Sequence, residues 1–350
     1  MAVSTAVRRS GPPRVVVLRA LGLGDLCTAV PALRGLRRRF PDHRLTVLTP
    51  QALWPLAGLT DVLDELIDQP DLAAPLPRAA CEPELAVNLH GCGPQSTRLL
   101  ADAHPRRLLA FAHPDVGGPS SSPPWRADEH EVDRWCRLVG SAGAACDRTD
   151  VLLRRPASAS TTGDDSGVAG GSGRARGERS GVLVHPGAAS VSRQWPPARF
   201  GAVVRAVLDC GRPVTITGAS AEVGIAAAVV EAANAAGDPH CVMAAGRTDL
   251  AALARLVADA ELVVAGDTGI AHLATAFATP SVLLFGPTDP AHWGPTTAGP
   301  HQVLWFGSTG DPHGAHPDAG LLEISVSDVV AAIDRSPLRS TSADLTSPTR

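Results

Sequence analysis

The sequence predicts an α/β protein with two domains, each built on an open parallel sheet. Short apolar segments of strand length alternate with segments of helical spacing in both halves of the chain. This pattern is typical of parallel sheets covered by helices on both faces. Between the halves, residues 155–181 are mostly small or polar, and Val168 is their single large apolar side chain. Such a segment cannot bury enough surface to fold, so we expect a flexible linker or an exposed insertion.

The first half begins with an apolar strand that continues into a glycine loop and a helix. Its predicted elements are a strand at 15–19, a loop at 21–25, a helix at 26–40 and strands at 44–48 and 85–89. Apolar residues recur at helical spacing within the predicted helix, which a Pro-Asp pair ends. We therefore expect a first domain over 14–154, preceded by a disordered N-terminus at 1–13.

The second half repeats the same alternation. Its predicted elements are a strand at 182–185, a helix at 197–209, a strand at 213–217, helices at 222–235 and 249–258, a strand that ends at Gly266 and a strand at 281–285. The remaining boundaries are a second domain at 182–322, a closing helix at 323–335 and a disordered tail at 336–350. Two open α/β domains are expected to enclose a cleft between the carboxyl ends of their sheets.

Composition excludes several classes of protein. The chain has 350 residues and a net charge of −4, which disfavours a general nucleic-acid-binding protein. It has no run of 18 apolar residues, so no transmembrane segment is expected, and the first residues do not resemble a secretory signal. The seven cysteines are odd in number and lack a Cys-x-x-Cys pair. A reducing cytoplasmic setting is therefore expected, rather than a disulfide framework or a zinc site.

The most informative stretch is the strand–turn–helix junction at 266–269. A strand that ends in Gly266-Asp267-Thr268-Gly269 and opens a helix leaves the first helical N–H groups free to bind an anion. A phosphate is the natural ligand, and a diphosphate would use more of the donors. His272 follows four residues after Thr268 and so lies on the same helical face as Thr268. Taken singly, Asp267 could be a turn residue and His272 a core histidine, but the combination favours a binding site.

Asp25 is the candidate general base. It follows a strand and the loop of Gly22 and Gly24, and it opens a helix. Its carboxylate could remove a proton from a substrate hydroxyl, or it could cap the helix by accepting from the first N–H groups. The residues alone favour the cap. A dinucleotide-binding loop is a weaker interpretation, because Cys27 stands where a third glycine is needed.

Four further candidate residues follow strands of the second half. Arg193 could clamp a phosphate with its guanidinium group, or it could be a solvated loop arginine. Thr217 and Gly218 end a strand, and Glu222 follows at a helix start. Glu222 could accept hydrogen bonds from ribose hydroxyls, or it could be an acidic residue favoured by the helix dipole. The histidines show no metal-ligand spacing, so no metal is expected.

These pieces together resemble glycosyltransferase family 9, the heptosyltransferase family. The matching segments are Leu21–Asp25 with 31–33, 185–188 with Trp195, Pro196 and Phe200, Thr217–Gly218 with Glu222, 266–269 with His272, and 285–288. Five ordered pieces over about 270 residues form a specific match. The resemblance implies a GT-B fold of two Rossmann-like domains with parallel sheets facing an interdomain cleft.

The resemblance also implies roles for individual residues. It makes Asp25 the catalytic base, places Thr268 and Gly269 on the donor diphosphate, and puts Asp267 near the sugar and Glu222 near the ribose. Enzymes of this kind use no metal or other cofactor and invert the anomeric centre. The family usually has lysine before its Arg-Trp-Pro motif, and this chain, which contains no lysine, has Arg193 there. Arginine keeps the charge but changes the donor geometry.

The implied partners are a nucleoside-diphosphate sugar, with ADP-heptose as one candidate, and an acceptor that is a glycan, a glycolipid or a small molecule. Lipopolysaccharide core is the familiar acceptor of the family. The expected location is the cytoplasm, and contact with the inner face of the membrane is one option. Two alternatives stay open. One is an inactive homologue that only binds the nucleotide sugar. The other is a nicotinamide-dependent oxidoreductase, although Thr49 and Pro50 stand where its acidic residue is expected.

Overall fold

A computed structural model describes residues 11–116, 122–157, 181–297, 299–307 and 309–337. The chain divides into two compact units, Met1–Asp150 and Val151–Arg350. The expected disordered N-terminus, linker and tail fall mostly on residues 1–10, 158–180 and 338–350, which lie outside the described part of the chain.

The first unit contains a five-stranded sheet in which every strand pair is parallel. Its strands are β1 (Arg14–Leu18), β2 (Arg44–Thr49), β3 (Glu65–Asp68), β4 (Leu85–Asn88) and β5 (Arg107–Leu109). They lie in the order β3-β2-β1-β4-β5. The strand order reverses between β1 and β4, and this is where ligands bind in open α/β sheets. The two edge strands are short and partly polar, which explains why apolar patterning did not predict them.

Helices cover the first sheet. They are α1 (Leu23–Arg39), α2 (Trp54–Ala57), α3 (Gln95–Ala101) and α4 (Glu131–Gly140). Successive residues of β1 point to opposite faces, so Val15 and Val17 pack in one core while Val16 and Leu18 pack in another. The sequence did not predict α4. It also placed the start of α1 at Leu26, whereas the helix begins at Leu23 and includes Asp25 in its first turn.

The second unit contains a six-stranded sheet, again with parallel pairs throughout. Its strands are β6 (Val182–His185), β7 (Val214–Ile216), β8 (Cys241–Met243), β9 (Leu262–Gly266), β10 (Ser281–Leu284) and β11 (His301–Leu304). The order is β11-β10-β9-β6-β7-β8. The switch point therefore lies between β6 and β9. Both belong to the predicted elements, whereas the edge strands β8 and β11 do not.

Seven helices of the described residues belong to this unit. They are α5 (Pro197–Asp209), α6 (Val223–Ala232), α7 (Leu250–Asp259), α8 (Gly269–Ala276), α9 (Pro290–Trp293), α10 (Ala319–Glu323) and α11 (Val326–Arg335). The bounds of α5 are those that the sequence predicts. Gly201 allows α5 to approach α6 closely, because a Cβ there would lie 2.5 Å from the Cβ of Ala232.

Residues 151–157, the described stretch that follows the first unit, belong to the second unit. The Leu153 N–H donates to the carbonyl of Ala276, and Nη2 of Arg155 donates to the carbonyl of Ala258 and to Asp259. The division thus falls four residues before the predicted end of the first domain. Within the described ranges, no helix has both the length and the apolar character needed to cross a bilayer.

Candidate functional site

The predicted donor-binding residues of the second unit lie at the carboxyl ends of adjacent strands. β6 ends at His185, β7 is followed by Thr217 and Gly218, and β9 ends at Gly266. Since β9, β6 and β7 are neighbours in a parallel sheet, their ends share one edge. The fold therefore places three separate sequence motifs at one edge of the sheet, around the switch point.

The loop after β9 presents the start of a helix. Thr268 is the N-cap of α8, and its hydroxyl accepts a hydrogen bond from the N–H of Ile270 at 3.4 Å. Asp267 is buried and Gly269 is partly exposed. The N–H groups of the first helical turn lack helical acceptors, and the helix dipole favours negative charge there. This geometry suits the phosphate site that the sequence predicts.

Arg193 connects this loop to the one that follows β6. Its Nη1 lies 3.4 Å from the carbonyl oxygen of Asp267 and 3.7 Å from Oδ2 of the same residue. Both contacts are long for a charge-assisted hydrogen bond. Among the described residues, none accepts a hydrogen bond from the buried Nε of Arg193. The guanidinium group is thus held beside the α8 N-terminus with donors to spare.

His185, Thr217 and Glu222 form a second polar group at the ends of β6 and β7. Nδ1 of His185 lies 3.1 Å from the Thr217 hydroxyl, and Nε2 lies 3.8 Å from Oε2 of Glu222. Burial lowers the pKa of His185, and the Glu222 carboxylate acts in the opposite direction. The Ala219 N–H donates to Glu222 Oε2 at 2.7 Å, so this carboxylate does cap its helix. Both of these contacts of Glu222 are on Oε2.

Glycine is required where the loop after β6 passes Glu222. A Cβ at Gly187 would overlap the Glu222 carboxylate, and a Cβ at Gly218 would lie 3.2 Å from Cβ of Glu222. A larger residue at position 187 would have to displace the carboxylate.

On α8, the partly exposed His272 packs edge-to-face against Trp293, with ring centroids 5.8 Å apart. His272 therefore stays beside the loop without being a fully buried core residue.

In the first unit, Asp25 lies at the carboxyl end of β1, next to the switch point. Its Oδ2 accepts from the N–H of Gly22 at 3.2 Å, and Gly22 is the N-cap of α1, so Asp25 caps the helix from its third position and is not the N-cap that the residues alone favoured. Its Oδ1 lies 3.4 Å from Nη2 of Arg19. The side chain remains 28% exposed. The carboxylate is therefore anchored on two sides and still accessible, so the capping contact does not exclude a role as a base.

Arg19 is not among the residues that the sequence predicts for the site; it is 1% exposed and contacts Asp25 from inside the unit. Its partners include Glu131 and Trp135 on α4, more than 110 residues away. The signal in the sequence was a charged residue directly after four apolar strand residues. The same end of the sheet also carries His90, and burial lowers its pKa, with a further lowering by Arg19.

Histidine, cysteine and acidic side chains, the usual metal ligands, occur throughout the described residues. That part of the chain contains no cluster of three or more His, Cys, Asp or Glu side chains suited to hold a metal ion. The seven cysteines are unpaired thiols, and Cys27 is buried in α1.

Comparison with known proteins supplies the fold class. The chain is similar to ADP-heptose lipopolysaccharide heptosyltransferase II of E. coli, with a TM-score of 0.73 and 19% identity over 92% of this chain and 97% of that one. It is also similar to a family 9 glycosyl transferase of Veillonella parvula, with a TM-score of 0.71 and 20% identity over 93% and 97% of the two chains. E. coli heptosyltransferase WaaC, solved with ADP, matches with a TM-score of 0.63 and 16% identity over 92% and 97%. These matches confirm the GT-B fold class with its two parallel-sheet α/β domains.

No curated protein was found to match the sequence. The sequence profile described as Glycosyltransferase family 9 (heptosyltransferase) matches residues 122–308, which is more than half of the chain. The matched range includes Arg193, Glu222 and the loop at 266–269, and Asp25 lies before it. The chain therefore belongs to glycosyltransferase family 9, the heptosyltransferase family.

Proposed function

We propose that this protein transfers a sugar from a nucleoside-diphosphate sugar to an acceptor hydroxyl with inversion at the anomeric carbon. Family membership supports sugar transfer. The observation that carries the donor half of the proposal is the placement of Arg193 beside the N-terminus of α8, with one N–H of the guanidinium lacking an acceptor. ADP-heptose is the first donor to test, because a similar structure contains WaaC with ADP-2-deoxy-2-fluoro heptose.

The second unit would bind the donor and stabilise the leaving group. As the bond between the anomeric carbon and the diphosphate oxygen breaks, negative charge develops on the diphosphate. The N–H of Gly269, the Thr268 hydroxyl and the Arg193 guanidinium would stabilise that charge, and such electrostatic stabilisation is commonly the largest catalytic effect. Asp267 would lie near the sugar, and Glu222 would accept from the ribose hydroxyls.

The first unit would supply the base. Asp25 has one oxygen on the Gly22 N–H and the other beside Arg19, and its side chain is partly exposed. In the proposed reaction the carboxylate takes the proton of the acceptor hydroxyl while that oxygen attacks the anomeric carbon from the face opposite the diphosphate. One bond forms, one breaks and the nucleoside diphosphate leaves, so a single displacement inverts the centre.

The experiment is a panel of nucleotide sugars assayed for release of nucleoside diphosphate, with ADP-heptose first and lipopolysaccharide core as the first acceptor. The Asp25→Asn variant is the decisive comparison, because an asparagine oxygen can still accept from the Gly22 N–H. We expect it to lose at least about 100-fold in kcat. Binding of the donor, measured by calorimetry, should change by less than about twofold. Full activity in this variant would remove Asp25 from the mechanism.

A second candidate is an inactive homologue that binds the nucleotide sugar without transferring it. The observation behind this option is that the Asp25 carboxylate accepts from the Gly22 N–H and pairs with Arg19, contacts that a purely structural residue would also make. Such a protein would be stabilised thermally by ADP or by a nucleotide sugar, and no donor in the panel would release diphosphate at a rate above that of buffer. Stabilisation by NADH alone would instead favour an oxidoreductase.

We also propose that transfer proceeds without a metal ion. The residues proposed for the diphosphate are helix N–H groups, a hydroxyl and a guanidinium, which neutralise charge without a cation. A similar solved structure, TibC of enterotoxigenic E. coli, is described as iron-containing, so the point needs a direct test. Activity should survive dialysis against EDTA, and loss of activity that added metal restores would contradict the proposal.

A further inference from the structure

We propose that Arg19 is a positioning residue for the Asp25 carboxylate, and that Glu131 and Trp135 on α4 hold Arg19 in place. The inference rests on the proposed function, because it assigns Arg19 to the same reaction through Asp25. Arg19 is a charged residue with 1% exposure, and it lies immediately after β1 at the switch point of the first sheet.

The guanidinium group reaches five acceptors. Nε donates to the backbone carbonyl of Asp25 at 2.9 Å, and Nη1 donates to the carbonyl of Leu89. Nη2 lies 3.1 Å from the Thr28 hydroxyl, 3.3 Å from Oε1 of Glu131 and 3.4 Å from Oδ1 of Asp25. The Arg19 side chain therefore contacts the loop after β4, the first turn of α1 and the start of α4.

Glu131 and Trp135 complete the support on the other side. The guanidinium carbon of Arg19 lies 4.7 Å from the Trp135 ring centroid, and the indole N–H of Trp135 donates to Glu131 Oε1 at 2.8 Å. Glu131 also pairs with the buried Arg134. The two positive charges of Arg19 and Arg134 face the two negative charges of Glu131 and Asp25, which offsets part of the penalty for burying the first two and Glu131.

This arrangement fixes the orientation of the base. Arg19 contacts Oδ1 of Asp25 and the Gly22 N–H contacts Oδ2, so the carboxylate is held by a donor at each oxygen. Because Arg19 also binds the backbone carbonyl of the same residue, it sets the position of both the main chain and the side chain. A lysine would keep the charge and lose the planar fork that reaches these acceptors together.

The test compares Arg19→Lys with a matched control on α4. Arg137→Lys removes a two-pronged contact with Glu129 and stacking on Phe111, with no contact to Asp25. Transfer is assayed as release of nucleoside diphosphate from the donor that the panel identifies. We expect Arg19→Lys to lower kcat about tenfold or more, because small displacements of a catalytic group are costly. The KM for the donor should stay within about twofold, and Arg137→Lys should retain both constants.

A second readout needs no substrate. The amide of Gly22 donates to Asp25 Oδ2, so its NMR resonance reports the position of the carboxylate. In Arg19→Lys this resonance should shift, because the carboxylate loses the donor that holds its other oxygen, and in Arg137→Lys it should stay in place. A Gly22 resonance that is unchanged in Arg19→Lys, or a kcat equal to that of the unmodified protein, would overturn the proposal.

Arg19→Lys could fail to fold, and the charge-balanced variant Arg19→Met with Glu131→Gln then replaces it. This pair removes one positive and one negative charge, and such exchanges are often tolerated in cores. We expect the same loss of kcat and the same shift of the Gly22 resonance. An equal loss in Arg137→Lys would also overturn the proposal, since it would show a general effect of α4. Full activity of Asp25→Asn would instead defeat the proposed function, while the Gly22 resonance would still test the contact.

Discussion

At the scale of residues, Gly187 lies where the structure leaves no room for a side chain. A Cβ at this position would overlap the Glu222 carboxylate, so we expect Gly187→Ala to displace Glu222 and to lower the free energy of unfolding by about 1–3 kcal/mol. ADP affinity, measured by calorimetry, should fall as well if Glu222 binds the ribose.

Gly224 in α6 is the matched control for this prediction. A Cβ there meets no heavy atom within 4 Å, and alanine favours a helix more than glycine does. Gly224→Ala should therefore raise the free energy of unfolding by about 0.5–1 kcal/mol and leave ADP affinity unchanged. If Gly187→Ala were as stable as the unmodified protein and bound ADP equally well, Glu222 would not be held as the structure indicates.

Cys136 and Cys146 are expected to differ in reactivity, although both are partly buried. They share a side-chain hydrogen bond that lowers the pKa of Cys146, and Arg38 lowers it further. The same hydrogen bond and burial raise the pKa of Cys136. Because the thiolate is the nucleophile, iodoacetamide at pH 7 should alkylate Cys146 before Cys136, as measured by peptide mass spectrometry.

Cys27 provides an internal reference for the alkylation experiment. Burial raises its pKa to about 12, with a further contribution from Asp25, so it should stay unmodified in the folded protein and react only in denaturant. Alkylation of Cys136 before Cys146 would contradict a lowered pKa of Cys146 and a raised pKa of Cys136.

At the scale of elements, the N-terminus of α8 is expected to affect both the free energy of unfolding and the binding of ADP. Thr268→Ala removes the N-cap hydroxyl that accepts from Ile270 and should lower the free energy of unfolding by about 1 kcal/mol. It should also weaken ADP binding by several-fold if the hydroxyl contacts the diphosphate. Calorimetry and urea unfolding measure the two effects separately.

The N-cap of α7 offers a control of similar geometry. The Asp249 carboxylate accepts from the Ala252 N–H at 2.7 Å, so Asp249→Ala should cost about the same stability and leave ADP affinity unaltered. Equal weakening of ADP binding in both variants would show that the loss follows from stability alone, and not from a contact of Thr268 with the ligand.

For the whole molecule, two histidines determine part of the response to acid. Burial lowers the pKa of His185 in the second unit and of His90 in the first. A histidine with a lowered pKa binds more protons in the unfolded chain than in the folded one. The free energy of unfolding is therefore expected to fall as pH drops through about 6.5, the ordinary value for histidine.

Urea unfolding at pH 7.5, 6.5 and 5.5 checks this dependence. His185→Gln should flatten the slope between the last two values, whereas His240→Gln, which removes an exposed histidine, should not change it. A slope that is the same in His185→Gln as in the unmodified protein would show that His185 does not contribute.

The candidate donor site was predictable where its residues lie close together in the sequence. The run from Gly266 to Gly269 follows an apolar strand and precedes a helix, so its local pattern alone indicates an anion site. The same holds for α5, whose start at Pro197 and apolar spacing predict its bounds. The edge strands β3, β5, β8 and β11 escaped prediction because they are short and partly exposed.

By itself, the sequence determined the fold class, the two α/β units and the loops that carry the candidate donor site, because these depend on periodicity and on residues close in the chain. The tertiary structure alone decided how Arg193 meets Asp267 and how Arg19 meets Glu131. These pairs are separated by 74 and 112 residues. No local pattern encodes such contacts, since parallel strand order brings together the ends of segments that are distant in the chain.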